Sequence, residues 1–134
     1  MFKSAYCSGC VMHNILVIED NKLNRQLMND FIELIDSDSY NIINVENGLE
    51  ALKKVDYYKL DLILLDIQLP LIDGLELLSK FKEKPNVKNT PIIAVTAYAM
   101  EGDREKFLNA GCDEYLPKPL DVDDFEDKIK KFLD

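Results

Sequence analysis

Charged or hydroxyl-bearing side chains follow the short apolar runs of this sequence. Glu19 and Asp20 come directly after ILVI, Asp66 after LILL, and Thr96 after IIAV. Lys118 follows YLP, which contains a weaker apolar run. Three carboxylates held close together repel one another, and this repulsion raises their pKa values unless a cation lies among them. A ligand set made only of oxygens suits a hard, partly hydrated cation, which predicts Mg²⁺ at such a site.

A carboxylate beside a metal ion can also attack a phosphoryl group and form an aspartyl phosphate. Asp66 is the candidate nucleophile, with Lys118 offsetting charge on the phosphoryl oxygens and Thr96 donating a hydrogen bond to one of them. Each residue also has a structural explanation: Glu19 and Asp20 as an acidic pair at a helix start, Thr96 as a loop residue, Lys118 as a solvated charge. Because these residues end successive apolar runs, we favour a shared site.

The apolar runs themselves predict the strands of a parallel sheet. They are continuous and rich in Ile, Leu and Val, a pattern typical of strands that are covered on both faces. The runs lie at residues 15–18, 42–45, 62–65 and 92–95, with a weaker fifth run at 115–116.

Five amphipathic stretches follow these runs and predict helices. The fourth spans about residues 99–110 and stops at Gly111, a residue typical of helix C-termini. The other four helices have apolar positions three and four residues apart, which places them on one face. The inward-facing residues that we predict are Leu23, Leu27, Phe31 and Leu34; Leu49, Leu52 and Val55; Leu75, Leu78 and Phe81; and Phe125, Ile129 and Phe132 or Leu133.

Five strands alternating with five helices predict an α/β fold of the (βα)5 type, a doubly wound five-stranded parallel sheet. In such sheets the functional site lies beyond the carboxyl ends of the strands. The polar residues that end the apolar runs therefore converge on that edge.

The composition excludes several classes of protein. The chain of 134 residues carries a net charge of −9, which disfavours binding to nucleic-acid phosphates or to an anionic membrane surface. No apolar run approaches the roughly 18 residues that a membrane span requires. We therefore expect a single-domain, cytoplasmic protein.

The N-terminal segment stands outside this pattern. Cys7 and Cys10 form a C-x-x-C pair, but a zinc site needs two further ligands, and His13 is the one histidine of the chain. A redox pair, expected between a strand and a helix, and a lipoprotein cleavage site are the other interpretations. We expect residues 1–11 to be a disordered leader or a cloning remnant, and residues 12–134 to be the domain.

Four strings of this sequence resemble the receiver domain of two-component response regulators: ILVIEDN, LILLDIQLPLIDG, PIIAVTAYAM and YLPKP. The resemblance covers about residues 14–134 and is strongest toward DivK-type single-domain regulators and the receivers of hybrid histidine kinases. It implies the flavodoxin-like, CheY-like fold with strand order 2-1-3-4-5. It also implies a signalling protein of a phosphorelay and not an enzyme.

The resemblance also assigns roles at the site. It implies that Asp66 accepts a phosphoryl group from a phosphohistidine, and that Glu19, Asp20, Asp66 and the backbone carbonyl of Gln68 bind Mg²⁺. Lys118 and Thr96 would contact the phosphoryl group.

Further implications concern switching and partners. Tyr115 would be the aromatic switch that turns inward when Thr96 moves, and the Lys118–Pro119 peptide bond would be cis. The surface of the fourth helix, fifth strand and fifth helix would then control binding of a downstream protein target. The donor would be a sensor histidine kinase or a histidine phosphotransfer protein that contacts residues 24–28, and the receiver would be a monomer or weak dimer.

Three alternative functions stay open at this point. An aspartyl-phosphate hydrolase would need a second acid two residues after the nucleophile, where Gln68 stands. A flavodoxin-like electron carrier would need a phosphate loop rich in Ser, Thr and Gly, where this chain has EDNK after its first run. A degenerate receiver would bind partners without being phosphorylated.

Overall fold

The computed structural model describes residues 12–36, 39–67, 74–97 and 103–133, in which five parallel strands alternate with five helices. The strands are β1 (His13–Ile18), β2 (Tyr40–Val45), β3 (Leu62–Asp66), β4 (Ile92–Thr96) and β5 (Glu114–Pro117). The helices are α1 (Lys22–Asp36), α2 (Gly48–Lys54), α3 (Gly74–Glu83), α4 (Asp103–Asn109) and α5 (Val122–Leu133). The sheet order β2-β1-β3-β4-β5 confirms the predicted fold. The segment 1–11 and its cysteine pair lie outside the described residues.

The sheet divides the core into two layers. Leu16 and Ile18 of β1 face the layer formed with α2, α3 and α4, whereas Ile15 and Val17 face the layer formed with α1 and α5. Every residue of β3 and β4 is buried, as the continuous apolar runs predict. Removing one such Leu or Ile side chain from water contributes about 1.5–3 kcal/mol, so the two central strands are the most firmly anchored part of the sheet.

The predicted inward face of α1 is wrong for its three leucines, whereas Phe31 packs against the core as predicted. Leu23, Leu27 and Leu34 are 80%, 38% and 74% exposed, while Met28 and Ile32 are fully buried. The helix carries two apolar stripes, both with three- and four-residue spacing, and periodicity alone does not say which one meets the sheet. The buried stripe packs against the sheet, and the leucine stripe is left facing solvent.

The other helices follow the prediction more closely. Leu78 and Phe81 of α3 and Phe125 and Ile129 of α5 are fully buried. Leu49 of α2 is 51% exposed, contrary to prediction, because the inward positions are taken by Ala51 of that short helix and by Val55 directly after it. Gly111 has a φ of 121°, a left-handed conformation that glycine adopts without strain, and it follows α4 as expected. Within the described residues, no helix is both long and apolar enough to cross a membrane.

Gly74 fixes the return of the chain after β3. A Cβ atom at this position would lie 2.6 Å from the Cα of Ile67, so a larger residue would push the two backbones apart. The Gly74 N–H donates a hydrogen bond to the Ile67 carbonyl at 3.0 Å. The start of α3 is thereby held against the residue that directly follows Asp66.

Candidate functional site

The parallel strands place the predicted site residues at one edge of the sheet. Asp66 and Thr96 are the last residues of β3 and β4, Glu19 directly follows β1, and Lys118 directly follows β5. Backbone hydrogen bonds between neighbouring strand ends fix these positions: the Lys118 N–H donates to the Thr96 carbonyl at 2.8 Å, and the N–H of Ile67 donates to β4 at 3.1 Å. The residues that the sequence predicted to converge therefore lie at the same edge of the sheet.

Three carboxylates form the centre of this edge. One oxygen from each of Glu19, Asp20 and Asp66 lies within 4.8 Å of the others. Glu19 is fully buried and Asp66 is 3% exposed, whereas Asp20 is exposed. A compact set of oxygen ligands with one side open to water matches what Mg²⁺ prefers in proteins, because this ion keeps part of its hydration shell.

Lys118 is shared between two of these carboxylates. Its Nζ lies 2.8 Å from Oε1 of Glu19 and 3.5 Å from Oδ2 of Asp66. Counted as ionised groups, the three carboxylates and one ammonium give the cluster a formal charge of −2. A divalent cation would neutralise this remaining charge.

Burial and the neighbouring Asp66 raise the pKa of Glu19 above its ordinary value. Desolvation penalises the buried carboxylate first, and the hydrogen bond and charge of Asp66 add to it. The ammonium of Lys118 and the N–H of Asn21 oppose this shift, the latter donating to Oε2 of Glu19 at 3.2 Å. The contacts with Lys118 and Asn21 thus offset part of the rise in the pKa of Glu19 that burial and Asp66 cause.

Two residues that sequence reasoning missed hold the loop after β1. The guanidinium of Arg25 donates to the backbone carbonyl of Glu19 at 2.9 Å and pairs with Glu46 at 3.4 Å. The side chain of Asn21 accepts a hydrogen bond from the N–H of Asn24 at 3.0 Å and so starts α1. The Asn of the EDN string was a readable helix-start signal, whereas nothing in the sequence marked Arg25.

Thr96 and Tyr115 lie on the α4 side of the site. Thr96 is fully buried at the end of β4. Tyr115 of β5 is 9% exposed, and its ring stacks on Phe107 of α4 with centroids 5.9 Å apart and planes 22° apart. The Lys118–Pro119 peptide bond is cis, as predicted. Gln68, the predicted backbone ligand, lies outside the described residues.

An open, doubly wound parallel sheet with an acidic cluster and a lysine at its carboxyl edge defines the class of CheY-like receiver folds. Residues 15–130 match the response regulator receiver domain family. The chain belongs to this family, which confirms the resemblance found in the sequence and makes it a receiver of two-component signalling. The hydrolase and flavin-carrier alternatives are therefore set aside.

Curated relatives and solved structures agree with this assignment. The polar-differentiation response regulator DivK of Brucella anthropi is 42% identical over 120 residues, covering 90% of this chain and 95% of the relative. The receiver domain of a sensor histidine kinase from Pseudomonas aeruginosa PAO1, solved with a magnesium ion coordinated in its active-site cleft, is 30% identical with a TM-score of 0.81, covering 92% of this chain and 98% of that one. A chemotaxis response regulator of Vibrio cholerae, at 21% identity and a TM-score of 0.82, covers 91% and 99% and supports the fold alone.

Proposed function

We propose that Asp66 accepts a phosphoryl group from a phosphohistidine of a partner protein. An oxygen of the Asp66 carboxylate forms the new bond to phosphorus while the bond between phosphorus and the imidazole nitrogen breaks. The electron pair of that bond stays on the imidazole, whose other ring nitrogen carries a proton, so the products are an acyl phosphate and a neutral histidine. The observation that carries this proposal is the position of Asp66, which ends β3 within 3.5 Å of the Lys118 ammonium and within 4.8 Å of the other two acids.

Lys118 and Thr96 are the residues that we assign to the phosphoryl oxygens. The Lys118 ammonium already lies against Asp66 and is 15% exposed, so its charge acts through a poorly solvated environment. The Thr96 hydroxyl is buried at the adjacent strand end and is suited to donate one hydrogen bond. Both groups favour the product because phosphorylation concentrates negative charge beside them.

Glu19, Asp20 and Asp66 are the side chains that would hold Mg²⁺, together with the backbone carbonyl of Gln68. When bound, Mg²⁺ offsets the repulsion between an anionic phosphoryl donor and the carboxylates. The compact oxygen set supports this assignment, and so does the magnesium ion coordinated in the cleft of the Pseudomonas aeruginosa receiver. Many receivers have Asp at the position of Glu19. The Glu of this chain keeps the carboxylate and lengthens its reach.

The exposed leucine stripe of α1 supports the docking of the donor on this helix. Leu23 directly precedes residues 24–28, the predicted contact, and Leu27 lies within them; both belong to the first turns of α1, which follows Glu19 and Asp20 in the chain. Apolar residues exposed next to a charged site are typical of a protein interface. We infer that the helices of a histidine kinase or a phosphotransfer protein cover this stripe when the phosphohistidine reaches Asp66.

The stacked pair of Tyr115 and Phe107 supports a readout through α4, β5 and α5. Tyr115 lies in β5 opposite Ala94 of β4, two residues before Thr96. A movement of Thr96 toward a phosphoryl group changes the space beside the Tyr115 ring, and the ring in turn contacts α4. We infer that phosphorylation shifts the population of two arrangements of this surface and so controls a downstream protein, which is the role of a signal transducer and not that of an enzyme acting on substrates.

Intact mass after incubation with acetyl phosphate tests the proposal. We expect one phosphoryl adduct that requires Mg²⁺ and is absent in Asp66→Asn. Glu105→Gln, which removes an exposed acid on α4, is the matched control and should keep the adduct. An adduct that persists in Asp66→Asn, or no adduct in a folded protein that binds Mg²⁺, would contradict the assignment of Asp66.

A further inference from the structure

The outer edge of β2 is open to an additional strand. Among the described residues, β2 pairs only with β1, along all six of its residues. The carbonyls of Ser39 and Val45 accept hydrogen bonds from backbone N–H groups on the β1 side, at 2.8 and 3.1 Å. Because successive residues of a strand direct their backbone groups to opposite edges, the N–H and C=O groups of Ile42 and Asn44 point away from β1.

This edge has none of the features that normally block strand addition. Exposed edges are usually protected by charged residues, proline, a bulge or short length. β2 reads YNIINV, without charge, proline or glycine, and its register with β1 is continuous. The opposite edge differs: β5 has four residues and ends at Pro117, and its Glu114 pairs with Lys131 of α5 at 2.9 Å.

A groove runs beside this open edge. It has a volume of about 330 Å³ between α1 and β2, and its lining includes Gln26, Asn29, Ile32, Glu33, Ile42 and Asn44. Oδ1 of Asn29 is buried and has no hydrogen-bond partner among the described residues. Side chains of a strand added to β2 would alternate into this groove, where Ile42 offers apolar contact and the amides of Gln26, Asn29 and Asn44 offer hydrogen bonds.

We propose that the outer edge of β2 binds an extended segment of a partner protein by strand addition, and that this segment carries both polar and aliphatic side chains, with Lys or Arg near its ends. Glu33 lies toward the end of α1, and Glu46 directly follows β2 with a side chain 65% exposed. Glu33 lines the groove, and Glu46, which also pairs with Arg25 at 3.4 Å, lies just beyond the C-terminal end of the β2 edge. A second copy of the chain would bring its own Glu33 and Glu46 and its net charge of −9 to the same joint, which disfavours self-pairing.

A labelled eight-residue peptide, Lys-Val-Thr-Val-Ile-Val-Thr-Lys, is the probe for this surface. We expect binding that protects the amides of Ile42 and Asn44 from hydrogen exchange, and about tenfold weaker binding of the same peptide with N-methylated alternate amides. Asn44→Lys should weaken binding by about tenfold as well, because it places a charge in the groove. Asn41→Lys adds the same charge beside Asn14, at the β1 side, and should leave the affinity unchanged.

Circular dichroism and urea unfolding of both variants show whether the fold is intact, so this test is independent of the phosphoryl-acceptor assignment. Equal binding of the N-methylated peptide, protection confined to other elements, or no binding at about 1 mM peptide would overturn the proposal. A dimer in sedimentation equilibrium that Asn44→Lys dissociates would also overturn it, since a second copy would then be the occupant.

Discussion

Replacing Asp20 with Asn should change the stability of the protein in opposite directions with and without Mg²⁺. Asp20 lies within 4.8 Å of carboxylate oxygens of both Glu19 and Asp66, and no ion pair of Asp20 is present among the described residues to offset this repulsion. One repulsion at that separation is worth about 0.9 kcal/mol in a dielectric of about 80. Asp20 has two such repulsions, one with Glu19 and one with Asp66. Salt reduces both because Asp20 is exposed, which leaves a total destabilisation of about 1 kcal/mol.

The metal-free Asp20→Asn variant should therefore be about 1 kcal/mol more stable than the parent, a rise in melting temperature of about 4 °C. With Mg²⁺ the order should reverse, because the parent gains the free energy of metal binding and the variant has lost one ligand. Urea unfolding in EDTA and in a Mg²⁺ series measures both differences.

The matched control is Glu105→Gln, which removes one negative charge at an exposed position of α4. Its stability should change little and by the same amount in both buffers. If Asp20→Asn were destabilised in EDTA, the acids would not repel one another as the geometry indicates. If its advantage persisted unchanged in saturating Mg²⁺, Asp20 would not be a ligand.

Three further predictions test other parts of the molecule. Burial opposes ionisation of Glu114, but Lys131 and nearby charges hold its pKa below the ordinary value, so its stabilising effect is present above about pH 4.5 and is lost as pH falls through the lowered pKa. Lys131→Met should thus lower the free energy of unfolding by about 0.5 kcal/mol at pH 7, a value discounted for the exposure of this lysine. In acid, urea titrations should show little difference between the variant and the parent. Gly74→Ala should cost about 1–3 kcal/mol and slow the labelling of Asp66 by acetyl phosphate, because its Cβ meets the backbone of Ile67; unchanged stability and labelling would refute this packing argument. Burial raises the pKa of the Cys112 thiol to about 12, so peptide mapping should find it alkylated by iodoacetamide only after unfolding, and labelling in the native state at pH 8 would contradict its burial.

The positions of the site residues could be predicted because a parallel sheet gathers all its strand ends at one edge. Asp66 and Thr96 could be located because each one ends a continuous apolar run. Both runs are fully buried strands, as that pattern predicts. Each apolar run with the polar residue that follows it is a local sequence pattern, and the parallel sheet brings the ends of these runs together.

Contacts between distant segments could not be predicted in the same way. Lys118 pairs with Glu19 across 99 positions of the chain, and Arg25 clamps the backbone of the β1 loop from within α1. Both depend on side-chain directions in the folded molecule. The inward face of α1 failed for a related reason: two stripes satisfied the same helical period, and only the packing of Met28 and Ile32 against the sheet decides between them.

The position of Lys118 makes two separate events at the acidic edge dependent on each other. One ammonium serves both Glu19 and Asp66, at 2.8 and 3.5 Å, so whatever neutralises Glu19 releases the ammonium toward Asp66. If Mg²⁺ and a phosphoryl group bind as proposed, both events draw on this one ammonium. By thermodynamic reciprocity, each would then change the affinity for the other by the same factor.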